Sequence, residues 1–329
     1  MLRRTVLLTG FVVSACLLAA SLDIHSQTRS AKVRRIGLLW GGTTAENGSR
    51  RDALLQGLRE LGWIEQQTIA LDELSAEGRY ERLPALASEL VARKVEVILA
   101  LNGTPAAVAA MNATREIPIV APAVGDPVAS KLAKSLATPS GNVTGTTNLA
   151  SELYAKRLAL MTQALPQITR VALLMNNANP FSAEATRLSL TTSRSLGIAL
   201  EVFDARDLGD FERAFDEMSR AHMEAVLVGS DILFQANVAQ LGTLALSRRL
   251  PMMAGYHAPG VLMAYNVDNI ELYRGAATYV DKILKGAKAG ELPFEQPSHF
   301  ALIVDLRTAS ALGIRVPQSL VLRADKVIE

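Results

Sequence analysis

The chain has 329 residues, nearly half of them hydrophobic and a fifth charged, which suits two domains of ordinary size and excludes wholesale disorder. A formal net charge of +2 gives no electrostatic reason to expect nucleic acid or an anionic membrane as a partner. The one cysteine, Cys16, lies in the N-terminal segment, so the folded part has no disulfide, thiol nucleophile or cysteine metal site.

In chain order, residues 1–32 read as a secretory signal. Arg3 and Arg4 form a basic start, an apolar run covers 5–20, and polarity returns at 21–35. The run is too short for a membrane span and no stop-transfer pattern follows. Val13-Ser14-Ala15-Cys16 looks like a bacterial lipobox and makes Cys16 a lipidation candidate. The apolar run continues through Ala20, so ordinary cleavage there or further on stays open as the alternative.

From Val33 onward strands and helices alternate. The first half predicts strands at 35–40, 68–72, 95–101, 117–121 and 143–147. Its helices are expected between the loop that runs through Asn47 and Gly62, and at 80–93, 105–114 and 127–137, with Pro84 and Pro127 in first turns. In the first of these helices Ala53, Leu54, Leu58 and Leu61 share a face, and Gly62 stops it. The second half predicts strands at 170–175, 198–203, 224–229 and 251–254, and helices near 151–164, 181–196, 209–220 and 232–248. A helix at 270–285, a strand near 299–304 and a short helix near 306–312 complete the chain. Such βα alternation implies parallel sheets covered by helices on both sides.

The two halves echo each other. Residues 33–62 align with 168–197 without a gap, pairing Arg35 with Arg170, Leu38 with Leu173 and Gly62 with Gly197. KVEVILALNGT (94–104) then resembles HMEAVLVGSDI (222–232), and REIPIVAPAVGDP (115–127) resembles RRLPMMAGYHAPG (248–260). Three matches in one order at nearly one spacing point to two similar βα lobes.

Motifs for chemistry are missing. No GxGxxG, GxxxxGK[ST] or GxSxG occurs, and the histidines have no metal-ligand spacing. No cofactor and no catalytic residue is expected. Hydrogen-bonding residues instead collect at the carboxyl ends of predicted strands, where ligands of open α/β sheets bind. They are Thr43, Thr44 and Asn47; Asn102, Gly103 and Thr104; Gly125 and Asp126; Asn177, Asn179 and Ser182; Ser230 and Asp231; Tyr256 and His257. Each taken singly is as readily a helix cap. Trp40, Phe181, Phe234 and Tyr256 stand beside them in a chain with few aromatics, which suggests an apolar wall. Trp63 is expected in the core.

The segments RRIGLLWGGTT, GLRELGW, AEGRYERLPALASELV, ATREIPIVAPAVGDPV, GNVTGTTNLASELYAKRL, TYVDKILKGAK, LPFEQP and RADKVIE resemble the periplasmic substrate-binding proteins of ABC transporters. The group meant is the bacterial one related to tryptophan-binding receptors, and the resemblance runs from Arg34 to Glu329. Leu74 and Ser140 stand where members often carry Arg and Gly. The resemblance implies an α/β fold of two Rossmann-like lobes joined by three crossovers, the type I periplasmic binding protein or Venus-flytrap arrangement. Lobe 1 would be 33–148 plus 257–290, and lobe 2 would be 149–256 plus 291–329. It also implies a monomer in the periplasm, free or lipid-anchored, that hands a small ligand to an ABC permease in the inner membrane.

The resulting expectation is a solute receptor that closes on an amino-acid-like, aromatic or apolar carboxylate. The expected ligand-binding residues are Trp40, Thr43, Thr44, Asn47, Asn102, Gly103, Thr104, Asp126, Asn179, Ser182, Ser230, Asp231, Phe234 and Tyr256. Thr43 and Thr44 would face Asn179 and Ser182, and Asn102 to Thr104 would face Ser230 and Asp231. Asp126 and Asp231 would meet an ammonium group, Thr44 and Thr104 a carboxylate. A ligand sensor docking to a signalling partner and a carboxylate-based enzyme are the alternatives.

Overall fold

The computed structural model describes residues 33–329 apart from Pro180; the side chains of residues 44–46, 150 and 151 are outside the description. The signal segment and Cys16 lie outside the described residues.

Continuous apolar runs such as VILAL become strands buried on both faces, as parallel sheets require. The first sheet holds β1 (Arg34–Trp40), β2 (Ile69–Ser75), β3 (Val97–Leu101), β4 (Ile119–Val124) and β5 (Val143–Thr147) in the order β2-β1-β3-β4-β5. All four of its pairings are parallel. The second sheet holds β6 (Arg170–Met175), β7 (Ala199–Asp204), β8 (Ala225–Val228), β9 (Met252–Ala254), β10 (Met263–Val267), β11 (Phe300–Asp305) and β12 (Lys326–Ile328). Its order is β12-β11-β10-β9-β8-β6-β7. Here β11 runs antiparallel to β10, so this sheet is mixed rather than wholly parallel. In each sheet the leading strand is flanked by the next two in sequence, β1 by β2 and β3, β6 by β7 and β8. The sequence repeat is thus a repeat of topology, and each half has a switch point at its strand ends.

The helices are α1 (Thr44–Glu60), α2 (Leu83–Ala92), α3 (Thr104–Ala113), α4 (Ala150–Ala164), α5 (Ser182–Ser195), α6 (Asp210–Arg220), α7 (Ile232–Ala236), α8 (Val238–Ser247), α9 (Asn269–Leu284), α10 (Leu306–Leu312) and α11 (Gln318–Val321). The α9 helix returns to the first sheet. Its Tyr273, Ala277, Val280 and Leu284 join Ile36, Leu38, Leu54 and Leu58 in one core. The two helices approach so closely that a Cβ on Gly57 would lie 2.5 Å from the Arg274 carbonyl. Trp63, expected in the core, is partly buried at its edge and donates its indole N–H to Asp281 Oδ1 at 2.9 Å.

Three expectations need correction. Residues 127–137 form turns rather than a helix. The Asp126 carboxylate accepts the Val128 and Ala129 N–H groups, and Lys131 takes a left-handed φ of 58°, so local side-chain bonding displaces the helical ladder. The expected helix 232–248 is broken at Asn237, whose Nδ2 donates to the Leu233 carbonyl at 2.7 Å. The lobe boundary also moves. MAYNV (263–267) pairs with β9 and β11 and so belongs to the second sheet, not to lobe 1. Residues 292–295 stay with the first sheet, where Thr144 Oγ1 donates to the Leu292 carbonyl and the Thr147 N–H to that of Glu295. The chain therefore passes between the sheets after β5, after β10, and between Glu295 and β11.

Candidate functional site

The carboxyl ends of β3 and β8 open onto a shared hollow. Asn102 and Gly103 take left-handed φ values of 69° and 93°, turning the chain sharply from β3 into α3. Asn and Gly are the residues that tolerate this conformation best. A cavity of about 90 Å³ there is walled from the first half by Asn102, Gly103 and Thr104, and from the second by Ser230, Asp231 and Phe234. A second, more open cavity of about 560 Å³ adjoins it and shares Arg50, Gln235, Gly255, Tyr256, Asn266 and Asn269. The smaller cavity falls short of the roughly 150 Å³ of a cavity that holds benzene, so a ligand the size of an aromatic acid has to draw on both.

Asp231 is the carboxylate in the wall of the smaller cavity. It caps α7 by accepting the Leu233 N–H at 2.9 Å. It also accepts from Asn176 Nδ2 at 3.3 Å, Asn179 Nδ2 at 2.8 Å and the Tyr80 hydroxyl at 3.2 Å. Each oxygen thus takes two donors, which fills its ordinary acceptor capacity. Burial pushes its carboxyl above the ordinary value, and the four hydrogen bonds pull it back only in part. Tyr80 belongs to a 3-10 turn of the first lobe, Tyr80–Arg82, so its bond to Asp231 crosses the cleft. Phe181 crosses from the other side, where a Cβ on Gly125 would lie 3.1 Å from its ring.

Each lobe carries an arginine stacked on a buried tyrosine. In the first, the Arg50 guanidinium lies 5.7 Å from the Tyr273 ring centre, and the Tyr273 hydroxyl accepts the Asn102 N–H at 2.8 Å. In the second, Arg157 lies 5.9 Å from the Tyr154 ring centre, and the Tyr154 hydroxyl accepts the Ser230 N–H at 2.5 Å. Asn102 and Ser230 are equivalent positions of the sequence repeat. Arg157 is fully buried and donates Nε to the Tyr265 carbonyl and Nη1 to Ser230 Oγ. Burial drives its pKa down, opposed by the neighbouring tyrosines Tyr154, Tyr256 and Tyr265. Arg50 Nη1 and Arg157 Nη2 are both buried without a hydrogen-bond partner, and so are both amide atoms of Asn102 and the Oδ1 of Asn269.

Of the fourteen expected residues, Asn102, Gly103, Thr104, Asn179, Ser230, Asp231, Phe234 and Tyr256 wall the cavity. Trp40, Thr43, Asn47, Asp126 and Ser182 do not, and the side chain of Thr44 is outside the described residues. Trp40 sits one layer back, stacked on Tyr273 with ring centres 6.4 Å apart. Thr43 lies beside Gly78 in the loop after β1. Asn47 is buried on α1, one turn before Arg50. Asp126 turns back on its own loop, and Ser182 Oγ donates to the Asn176 carbonyl at 2.5 Å. The expected pairing of Asn102–Thr104 with Ser230–Asp231 across one cavity is present in the wall; that of Thr43 with Ser182 is not.

The expected set omits Arg50, Tyr80, Asn148, Asn266, Asn269 and Tyr273 of the wall, and Arg157 behind it. Two signals could have found the arginines. Arg50 lies at i−4 and i−8 from Leu54 and Leu58 on the apolar stripe of α1. Arg157 lies between Tyr154 and Leu158 on that of α4. A charge on a buried stripe needs a reason.

Two α/β lobes whose strand ends share a walled cleft define a type I periplasmic binding protein fold, and solved structures of that shape match closely. A conserved domain protein of Vibrio cholerae superposes with a TM-score of 0.84 at 24% identity, over 90% of this chain and 100% of the other. An ABC domain from Streptococcus pneumonia in complex with L-Trp superposes with a TM-score of 0.81 at 22% identity, over 90% and 100%. The chain belongs to the ABC transporter substrate binding protein family, whose profile matches residues 47–328. It is also similar to the tyrosine-binding protein of Clostridioides difficile, 24% identical over 294 residues, covering 88% of this chain and 84% of that protein. Members are non-catalytic, work outside the cytoplasm, and carry a small molecule to the membrane permease of an ABC import system.

Proposed function

We propose that this receptor binds a small carboxylate, amino-acid-like or aromatic and apolar, in the cleft between its lobes and closes on it. The observation that carries this reading is the composition of the cavity wall. Both lobes supply it, aromatic rings alternate with amide groups, and the buried guanidinium of Arg50 has a nitrogen left without a partner. A buried donor without an acceptor is costly, and a ligand oxygen relieves it. The names of the relatives, one for tyrosine and one with L-Trp bound, support aromatic acids as the first probes.

Contacts that span the lobes support the closing step. Tyr80 to Asp231, Phe181 against Gly125 and Asn269 to Tyr256 each join one lobe to the other. A ligand gains affinity from the second lobe only in the closed state, so it shifts the population toward closure by that difference. The three passages of chain between the sheets act as the hinge.

A thermal-shift screen of the mature protein against amino acids, aromatic acids, nucleosides and sugars tests the ligand class. A true ligand at a hundredfold excess over its Kd stabilises the protein by about 2.7 kcal/mol. Solution scattering with and without that ligand tests closure, and superimposable profiles would remove the closing mechanism. Release of a chemically altered ligand would favour the enzyme alternative.

A further inference from the structure

The cleft carries more positive charge than the described chain neutralises. Arg50 and Arg157 are 6% and 0% exposed, and neither forms an ion pair among the described residues; their contacts are aromatic rings, a carbonyl and a hydroxyl. Each keeps one buried nitrogen without a partner. The two converge on one stretch of wall. Arg50 lines both cavities, as do Gly255 and Tyr256. A Cβ on Gly255 would lie 3.0 Å from Arg157 Nη2 and 3.2 Å from Asn266 Nδ2. Arg157 lines neither cavity itself, and the side-chain-free Gly255 is the wall residue that its guanidinium packs against.

The opposite charge is already spent. Asp231 holds four protein donors, two on each oxygen, and no acceptor site remains for a ligand ammonium. The free Oδ1 atoms of Asn102 and Asn269 are neutral acceptors that suit a hydroxyl as well as an ammonium, so net charge decides between them. Among the buried groups, two guanidiniums and one carboxylate leave a positive charge in excess, and more when Asp231 holds its proton; Asp268, which also lines the larger cavity, is exposed and solvated. A monoanion brings the closed cleft to neutrality; a zwitterion leaves that charge buried and uncompensated, which is costly in a low dielectric.

We propose that the cleft takes a small organic anion without a free ammonium group, its acidic oxygens seated at the Gly255–Tyr256 wall between Arg50 and Arg157. This rests on the receptor reading above and narrows it, setting the ligand apart from the amino acids named for the relatives.

Calorimetric titration of the mature, ligand-stripped protein with matched pairs tests it. The pairs are phenylpropionate with L-phenylalanine, hydroxyphenylpropionate with L-tyrosine, and indolepropionate with L-tryptophan. The proposal expects the acid lacking the amino group to bind about tenfold or more tightly than its partner in at least one pair. Arg50→Gln should lower that affinity at least about tenfold, and Arg50→Lys, which keeps the charge, should lose less. An amino acid that binds as tightly as its partner or tighter, or an Arg50→Gln protein of unchanged affinity, overturns it. If no probe binds, the molecule released from freshly purified protein by denaturation is identified by mass spectrometry. An anion without an ammonium group supports the proposal, and a zwitterion or a neutral molecule overturns it while leaving the receptor reading intact. Protein that binds no probe and releases nothing removes both.

Discussion

The hydroxyl of Tyr80, on a 3-10 turn of one lobe, donates to the Asp231 carboxylate of the other at 3.2 Å. A hydrogen bond to a charged group is worth about 1.5–3 kcal/mol, and the partial exposure of this one puts it at the lower end. It exists only while the lobes are together, so its loss falls on the closing equilibrium rather than on either lobe alone. Tyr80→Phe is expected to weaken ligand binding about tenfold, since about 1.4 kcal/mol is a factor of ten. Thermal stability without ligand should hardly change. Titration calorimetry reads the first and a melting curve the second. An unchanged affinity would mean that closure does not depend on this contact.

Asp231 also sets a pH dependence. Burial raises its carboxyl above the ordinary 3.8, so the folded chain binds this proton more tightly than the unfolded chain does. Its contribution to stability is therefore complete below the unfolded value and is lost as pH rises through the raised folded value. Other carboxylates oppose this. The pKa of Asp72 is lowered because its bonds from Arg35 and Arg93 outweigh its desolvation, and that of Asp305 because the Thr308 N–H and His257 do the same. Their contributions are present above the ordinary value and fade as pH falls. The comparison that isolates Asp231 is Asp231→Asn against the parent chain. The variant should gain stability relative to the parent as pH rises above the ordinary aspartate value, as read by urea unfolding across that rise. A difference that is flat or opposite in sign would show the carboxylate to be better solvated than its surroundings imply.

How much of this was legible beforehand depends on the kind of interaction. The strands were, because a parallel sheet buried on both faces writes itself as short unbroken apolar runs such as RVALLM. The duplication was too, and it placed Asn102 opposite Ser230 through the repeat alone. Asp126 misled because the residue type that would bind an ammonium is also the one that caps its own turn. Arg50 and Arg157 were passed over because a charged side chain is read as surface unless its helical stripe is checked. Tyr273 and Asn269 could not be placed from local pattern, since they reach the cleft only through the return of α9 to the first sheet. β10 escaped because MAYNV mixes buried and half-buried positions without a clear period.

That return of α9 hangs on a close approach at Gly57. Its Cβ would lie 2.5 Å from the Arg274 carbonyl and 2.9 Å from Ala277 Cβ. An alanine there gains about 1 kcal/mol of helix propensity, whereas overpacking typically costs about 1–3 kcal/mol. The obstructing atom is a carbonyl within α9 and not the far end of a flexible side chain, so the larger penalty applies. Gly57→Ala should destabilise the protein by about 1–2 kcal/mol and weaken ligand binding, because α9 carries Tyr273 and Asn269 into the cavity wall. Denaturant unfolding with a parallel binding titration checks both. A more stable variant would mean that α9 can step back without strain.

The two tryptophans offer a direct report on cavity occupancy. Trp40 is 2% exposed and stacked on Tyr273 at an interplanar angle of 10°. Tyr273 is itself part of the cavity wall and carries Arg50 over its ring. Trp63 lies at the edge of the same core, hydrogen-bonded to Asp281 and absent from the cavity wall. An acid that engages Arg50 draws the guanidinium from the Tyr273 ring and alters the polar surroundings of Trp40 one layer behind it. Trp63 has no such link. Most of any ligand-dependent change in tryptophan emission should therefore survive in Trp63→Phe and vanish in Trp40→Phe, while the affinity of Trp63→Phe stays at the parent level. If the response followed Trp63 instead, the ligand would act on the first lobe by some route other than the Arg50–Tyr273 stack, and the cavity assignment would have to move with it.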